Sequence, residues 1–158
     1  MKYFTRQLYN SQQGDPSSEK TQKAYEQWKK AVDAYDVYYK SVELFLPGHI
    51  KSLKNLSFHD AEIKGFNYLN KSKLIVGVDG VDCPWRAPGQ FLLKFEGVKL
   101  FEAQGTIVGD GWLYEEIHLG ENGYFEYHVL LDESEFQVVA KDVILEEVQD
   151  SGESKRLI

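Results

Sequence analysis

Trp112-Leu113-Tyr114-Glu115-Glu116-Ile117-His118-Leu119 and Tyr124-Phe125-Glu126-Tyr127-His128-Val129-Leu130-Leu131 are joined by Gly120-Glu121-Asn122-Gly123. Both arms alternate apolar and polar residues, which is the period of a β-strand with one buried face. The turn between them can be tested by the faces it creates. A two-residue turn at Asn122-Gly123 would set Leu119 against Glu126 and Ile117 against His128, mixing polar and apolar residues on both faces. A three-residue loop, Glu121-Asn122-Gly123 with Gly123 left-handed, sets Leu119 against Phe125, Ile117 against Tyr127 and Leu113 against Leu131. That register makes one face apolar and is the one we predict.

The same test extends the sheet in both directions. Gly109-Asp110-Gly111 prefers three residues as well, pairing Ile107 with Leu113, Ala103 with Ile117 and Phe101 with Leu119. Downstream, Leu131 opposite Phe136, Val129 opposite Val138 and Tyr127 opposite Ala140 continue the apolar face. The outer face then carries one row of Glu102, His118, Glu126 and Lys141 and a second of Gln104, Glu116, His128 and Val139. Each Glu of the repeated Glu-x-His pattern opposes the other strand's His. Directly opposed Cβ atoms lie about 4.5 to 5.5 Å apart, within reach of a hydrogen bond or a shared divalent ion such as zinc. Glu116, His118, Glu126 and His128 are therefore candidate metal ligands. The favoured reading is plainer: cross-strand pairs on a solvated face, with the histidine pKa values raised by carboxylate neighbours, since an open face supplies no concave pocket. No other cofactor is expected.

Glu115 falls on the inner, apolar face, beside Gly105 and Val129. It must either reach a partner, such as a Tyr hydroxyl or Lys from residues 25 to 40, or carry a pKa raised by burial, and a shifted carboxyl in a cleft is a general acid-base candidate. His59-Asp60 is the remaining candidate catalytic pair. On a regular strand the two side chains point to opposite faces, so Asp60 could orient His59 only at a bulge or turn. No Gly-x-Ser-x-Gly elbow or phosphate-binding Gly-rich loop is present, and Cys83 lacks a CxxC partner.

Upstream, Asp15 as N-cap and Pro16 in the first turn predict a helix over 16 to 46. Its stripe of Tyr25, Trp28, Val32, Tyr35, Tyr39, Val42 and Leu46, widened by Ala24, Ala31, Tyr38 and Phe45, faces a core, and any overhang offers a dimer contact. Pro47-Gly48 ends it. Strands follow near 57 to 67, 73 to 78, 90 to 96, 98 to 107, 112 to 119, 124 to 131 and 136 to 146. An Asp79-Gly80 turn sets Leu74, Val76 and Val78 against Trp85, Cys83 and Val81. The expected fold is α+β: a single domain over 1 to 158, with one long N-terminal helix packed on a curled, mostly antiparallel sheet of about seven strands (a meander over 55 to 148) and a frayed acidic tail from 150 to 158.

The chain has 158 residues, 25 Asp plus Glu against 18 Lys plus Arg, and a formal charge of -7. That balance, with no basic block, argues against nucleic acid and anionic membranes as partners. No run is long and apolar enough to span a bilayer, no signal peptide opens the chain, and the lone cysteine suits a reducing compartment. These features predict a cytoplasmic protein. The opening Met1-Lys2-Tyr3-Phe4-Thr5 with Leu8-Tyr9, and the later Leu56-x-x-His59-Asp60-Ala61-x-Ile63, resemble a family of small bacterial proteins classed as a domain of unknown function. The His-Asp-Ala segment is also similar to segments of some small bacterial immunity-like proteins. The resemblance implies a bacterial cytoplasmic protein and carries over no catalytic residue. The function expected is that of a non-enzymatic, acidic interaction protein, of immunity type, for a partner with a basic surface. The alternative is an enzyme or metal binder using the Glu/His cluster or Glu115.

Overall fold

The computed structural model describes residues 1–80, 89–148 and 154–157. Its order is α1 (Arg6–Ser11), α2 (Glu19–Val42), a 3-10 turn (Glu43–Phe45), α3 (Gly48–Lys54), then β1 (Glu62–Asn70), β2 (Lys73–Asp79), β3 (Gln90–Glu96), β4 (Leu100–Gln104), β5 (Trp112–Leu119), β6 (Phe125–Leu131), β7 (Glu135–Ala140), β8 (Asp142–Val148) and β9 (Ser154–Arg156). The α+β class holds. The single curled sheet does not: the strands form two antiparallel sheets, β1-β2-β3-β8-β9 and β4-β7-β6-β5.

Two crossings explain the difference. Between β3 and β4 the chain leaves the first sheet for the second, and between β7 and β8 it returns, so the strand expected over 136 to 146 is two strands in different sheets. The crossings lie side by side. Lys141 N–H donates to the Glu96 carbonyl at 2.9 Å and Lys99 N–H to the Val139 carbonyl at 2.8 Å. Gly97 turns there at φ 63°, and a Cβ on it would stand 3.0 Å from the Lys141 side chain, so a side chain is opposed both by conformation and by space.

The β5–β6 hairpin has the predicted register from Glu115 to Leu119: Ile117 pairs with Tyr127 and Leu119 with Phe125. Asn122 and Gly123 both take positive φ in the loop, at 55° and 76°. The register slips at Leu113, and Trp112, rather than Leu113, opposes Leu131. The predicted β4–β5 hairpin is absent. β4 pairs with β7, Phe101 facing Val138 and Ala103 facing Phe136. β6 and β7 pair two residues away from expectation, with Val129 opposite Phe136 and Tyr127 opposite Val138. A shift of two preserves the faces. In the first sheet β2 pairs with β3, Leu74 facing Phe95 and Val76 facing Leu93. The arm proposed for Val81, Cys83 and Trp85 lies outside the described residues. The tail is not frayed where it is described: β9 pairs with β8, Arg156 opposite Glu146.

The helical part is also more divided than its pattern implied. Ser18 caps α2 by accepting from Thr21 N–H at 3.1 Å, while Asp15 instead accepts from Ser17 N–H at 2.9 Å and Ser17 Oγ at 2.8 Å. That closes a turn before the helix begins. α1 and α3 were not anticipated; each is shorter than two full turns, and α3 is held by Ile50 and Leu53, both buried.

The inner faces of the two sheets meet in one core. Phe95 of β3 lies 5.9 Å from Tyr127 and 6.4 Å from Phe125 of β6, measured between ring centroids. Tyr35, Tyr39, Ile50 and Leu53 close its side. α2 runs along the free edge of β5, where the Ile117 N–H donates to the Tyr35 hydroxyl at 2.6 Å and the Leu119 N–H to the Tyr38 hydroxyl at 3.1 Å. Tyrosine hydroxyls thus replace the missing neighbouring strand. Replacing Tyr35 with Phe leaves the buried Ile117 N–H unpaired, and urea unfolding should show a loss of about 1 to 3 kcal/mol. Tyr38→Phe, at the exposed end of the strand, should cost less than about 0.5 kcal/mol.

Candidate functional site

The alternation of β5 and β6 places Glu116, His118, Glu126 and His128 on the outer face of the second sheet, as predicted, and Tyr114 joins them there. Glu116 faces His128 and His118 faces Glu126. The bonds, however, run along the strands rather than across them. His118 Nε2 lies 2.7 Å from Glu116 and His128 Nε2 lies 3.2 Å from Glu126. A carboxylate only accepts, so each Nε2 carries the proton. The two imidazole rings meet edge to face at 5.3 Å.

The face is not solvated at Glu116, which has no exposed surface. The N-terminal segment lies over it. Successive backbone N–H groups of Lys2, Tyr3 and Phe4 donate to its carboxylate at 2.8, 2.7 and 2.6 Å. Three consecutive amides converging on one anion form a backbone nest; here the anion belongs to the same chain. Burial alone would raise the carboxyl pKa, but the bonds from His118, Lys2, Phe4 and Tyr3 outweigh it and hold the value down to about 2. The side chains follow the backbone. Phe4 packs on Trp28 at 5.2 Å, Tyr35 at 5.3 Å and Tyr114 at 5.8 Å, and Tyr3 stacks on His118 at 6.1 Å.

Thr5 then caps α1, and the Arg6 guanidinium reaches the β6–β7 turn, donating to the carbonyls of Leu131 at 2.6 Å, Ser134 at 2.7 Å and Asp132. Asp110 secures that turn from the other side, accepting from Ser134 N–H at 2.8 Å and Ser134 Oγ at 2.5 Å. The sequence marked Lys2–Phe4 as a motif and Asp110 as a turn residue but disclosed neither role, because backbone amides carry no residue signature and the Ser134 partner of Asp110 lies 24 residues away. The opening Lys2-Tyr3-Phe4 motif was the visible trace.

The histidine pKa values were expected to be raised. His128 is lowered: burial dominates, the amino terminus and His118 add to it, and the Glu126 bond opposes it. Among the described residues no group of three or more His, Cys, Asp or Glu side chains is placed to hold a metal ion. The lone pairs of Glu116 that a metal would need already accept four hydrogen bonds.

Glu115 points inward. The bulge at Leu113 brings Trp112 onto its face, and the Trp112 Nε1–H donates to Glu115 Oε2 at 2.8 Å. A regular strand would put residues three apart on opposite faces. Its partner is thus an indole on its own strand, not a side chain from residues 25 to 40, and Gly105 is not beside it because β4 is on the far edge of the sheet. Burial raises the Glu115 pKa against the lowering effects of Trp112, Lys54 and His59.

His59 and Asp60 occupy a turn ahead of β1, where Asp60 takes φ 67°. That left-handed residue removes the opposite-faces objection, and His59 Nδ1 lies 3.0 Å from Asp60 Oδ1. The Asp60 N–H donates to the Trp112 carbonyl at 2.8 Å, which ties the turn to β5. The His59 ring packs edge-on against Tyr114 at 5.3 Å. His59 therefore lies against Tyr114, on the same face as Glu116, His118 and His128, while Glu115 lies on the opposite, inner face of β5.

The half of the outer face over β4, β7 and β6 is not covered by the nest. Met1, Glu102, Gln104, His128, Glu135 and Gln137 line a depression of about 110 Å³ there. Gln137 Nε2 donates to Glu102 at 2.9 Å.

A family model described as a protein of unknown function (DUF4085) matches residues 4–140, and the chain belongs to that family. No curated protein matches the chain. No helix among the described residues is long and apolar enough to cross a membrane.

Glu116→Gln keeps the shape but removes the charge and one full acceptor, so chemical unfolding at neutral pH should show a loss of about 2 to 4 kcal/mol. Because the folded pKa is depressed, the stabilisation is full above the ordinary carboxylate range and is lost as pH falls toward about 2. The wild type's advantage over the variant should therefore shrink on acidification. Glu115 has the opposite sign. Its raised pKa links folding to proton uptake, so its contribution declines as pH rises through and above the ordinary carboxylate range. Glu115→Gln should be relatively more stable than wild type at neutral pH than at pH 4 when the two are compared by urea unfolding.

Proposed function

We propose that this member of a family without an assigned activity is a non-enzymatic interaction protein that engages a basic protein partner. The single observation that carries the reading is the contrast between the two halves of the second sheet's outer face. One half is sealed by the chain's own N-terminal segment; the other presents Glu102, Glu126 and Glu135 around the His128 depression. Polar side chains held on paired strands are preorganised for docking, and clustered carboxylates steer a cationic partner. A neutralising role of the immunity type, in which an acidic surface occupies a basic partner, fits this surface. The protein is read as bacterial and cytoplasmic on the same grounds as its resemblance.

The alternative, an enzyme or metal binder, has less support. Glu116 is consumed by structural bonds, His118 and His128 are each tied to a carboxylate, and Glu115 is bonded to Trp112. The small depression is polar but offers neither a paired nucleophile and base nor a ring of ligands.

The test is capture on immobilised protein from a lysate of the source bacterium, with wild type compared against a Glu102→Lys/Glu135→Lys variant of verified fold. The reading predicts a basic captured protein that is released by about 0.5 M salt, where screening shortens charge interactions to a few ångströms, and that is lost with the charge-reversed variant. Capture unaffected by charge reversal, or no selective capture, would contradict it.

A further inference from the structure

Among the described residues the two sheets have four edges, and three are managed. The β5 edge is capped by the tyrosine hydroxyls, β9 is three residues long, and β4 is five. β1 is the exception, a nine-residue strand at the edge of the first sheet. Its start is engaged by the loop before β5: the Ile63 N–H donates to the Asp110 carbonyl at 3.0 Å, and the Gly109 N–H donates to the Ile63 carbonyl at 2.7 Å. Beyond Ile63, no backbone partner on that side is found among the described residues.

The direction of the bare groups follows from the ladder. Ile63, opposite Val78, turns both its N–H and its C=O away from β2. In an antiparallel pair such residues recur every second position. Stepping along β2 from Val78 to Val76 and Leu74 reaches their partners, Phe66 and Tyr68, with the intervening bulge accounted for by the register. Phe66 and Tyr68 therefore present their backbone groups outward. They are also the strand's half-exposed aromatics, at 45% and 44%, and Leu69 beside them is 59% exposed. Their rings rest on Phe101 of β4 at 5.2 and 6.3 Å, so the open backbone runs beside an aromatic shelf spanning both sheets.

We infer that the β1 edge is a homodimer interface, in which β1 pairs antiparallel with β1 of a second copy about a twofold axis at Asn67. The strand is its own complement in this register. Phe66 faces Tyr68 of the partner copy, and the symmetry repeats that aromatic pair; Gly65 faces Leu69 and Lys64 faces Asn70, and the pairing stops short of Ile63, whose outward side the loop before β5 occupies. No like charges are opposed, which is the condition a self-pairing edge must meet. The pairing fills the outward hydrogen bonds of Phe66 and Tyr68 and extends the five-stranded sheet through both copies. It uses a different edge from the acidic face and does not depend on the partner proposed for that face.

Sedimentation equilibrium of the full chain over about a hundredfold concentration range tests the inference through mass action. Wild type should dimerise, and Phe66→Lys/Tyr68→Lys, which places charges on the edge, should raise the dissociation constant at least about tenfold. Asn67→Cys supplies an independent readout. At the axis the two Cα atoms form a non-hydrogen-bonded pair about 4.5 Å apart, within disulfide range, so this variant should give a covalent dimer under mild oxidation in excess of any formed by wild type through Cys83. A wild type that stays monomeric throughout the range, or an Asn67→Cys chain that crosslinks no better than wild type, would overturn the inference.

Discussion

The Glu116 carboxylate is the interaction from which the arrangement of the outer face follows. A carboxylate without exposed surface is costly unless its charge is answered, and three consecutive amides and one imidazole answer it. Satisfying those bonds fixes the path of residues 2 to 4. That path delivers Phe4 into the cluster of Trp28, Tyr35 and Tyr114 and sets Thr5 at the start of α1, from which Arg6 reaches the β6–β7 turn. One charge thus ties the first residues of the chain to the middle of β5 and, through them, to α2. Where the N-terminal segment lies, the sheet is covered; where it stops, the acidic half begins.

The same economy governs the strand edges. Tyr35 contributes its ring to the core and its hydroxyl to the Ile117 amide, so one side chain both packs α2 and terminates the second sheet. That explains why the helix follows an edge instead of lying across a face. It also explains why its apolar stripe is only partly used: Ala24, Tyr35 and Tyr39 are buried, whereas Tyr25 and Phe45 stay exposed at 48% and 71%. The β1 edge is covered only at its start, by the loop before β5, and its long remainder has no cap among the described residues.

What could be read from sequence was local. The β5–β6 register was legible because a short loop leaves few alternatives and only one of them separates polar from apolar residues. The Glu and His rows on β5 and β6 followed from it. The β4–β5 pairing failed even though Gly109-Asp110-Gly111 is a real turn signal, because Asp110 spends its carboxylate on Ser134 and its carbonyl on Ile63. The loop joins two sheets instead of closing a hairpin. The segment from 136 to 146, read as one alternating strand, hid a change of sheet for a similar reason: alternation reports which face is buried but not which neighbour covers it. The burial of Glu116 was invisible because its cover lies more than a hundred residues away and consists of backbone. Glu115 was correctly identified as the inward carboxyl; its partner was not, since the bulge that brings in Trp112 leaves no mark on the alternation.

The most direct measurement is an NMR titration of the amide protons of Lys2, Tyr3 and Phe4 from pH 7 downward. If a buried Glu116 carboxylate holds all three, they should resonate downfield, as strongly hydrogen-bonded amides do, and move together only as the pH approaches about 2. A joint transition between pH 4 and 5, the ordinary range of an exposed glutamate, or three unrelated titrations, would contradict the account.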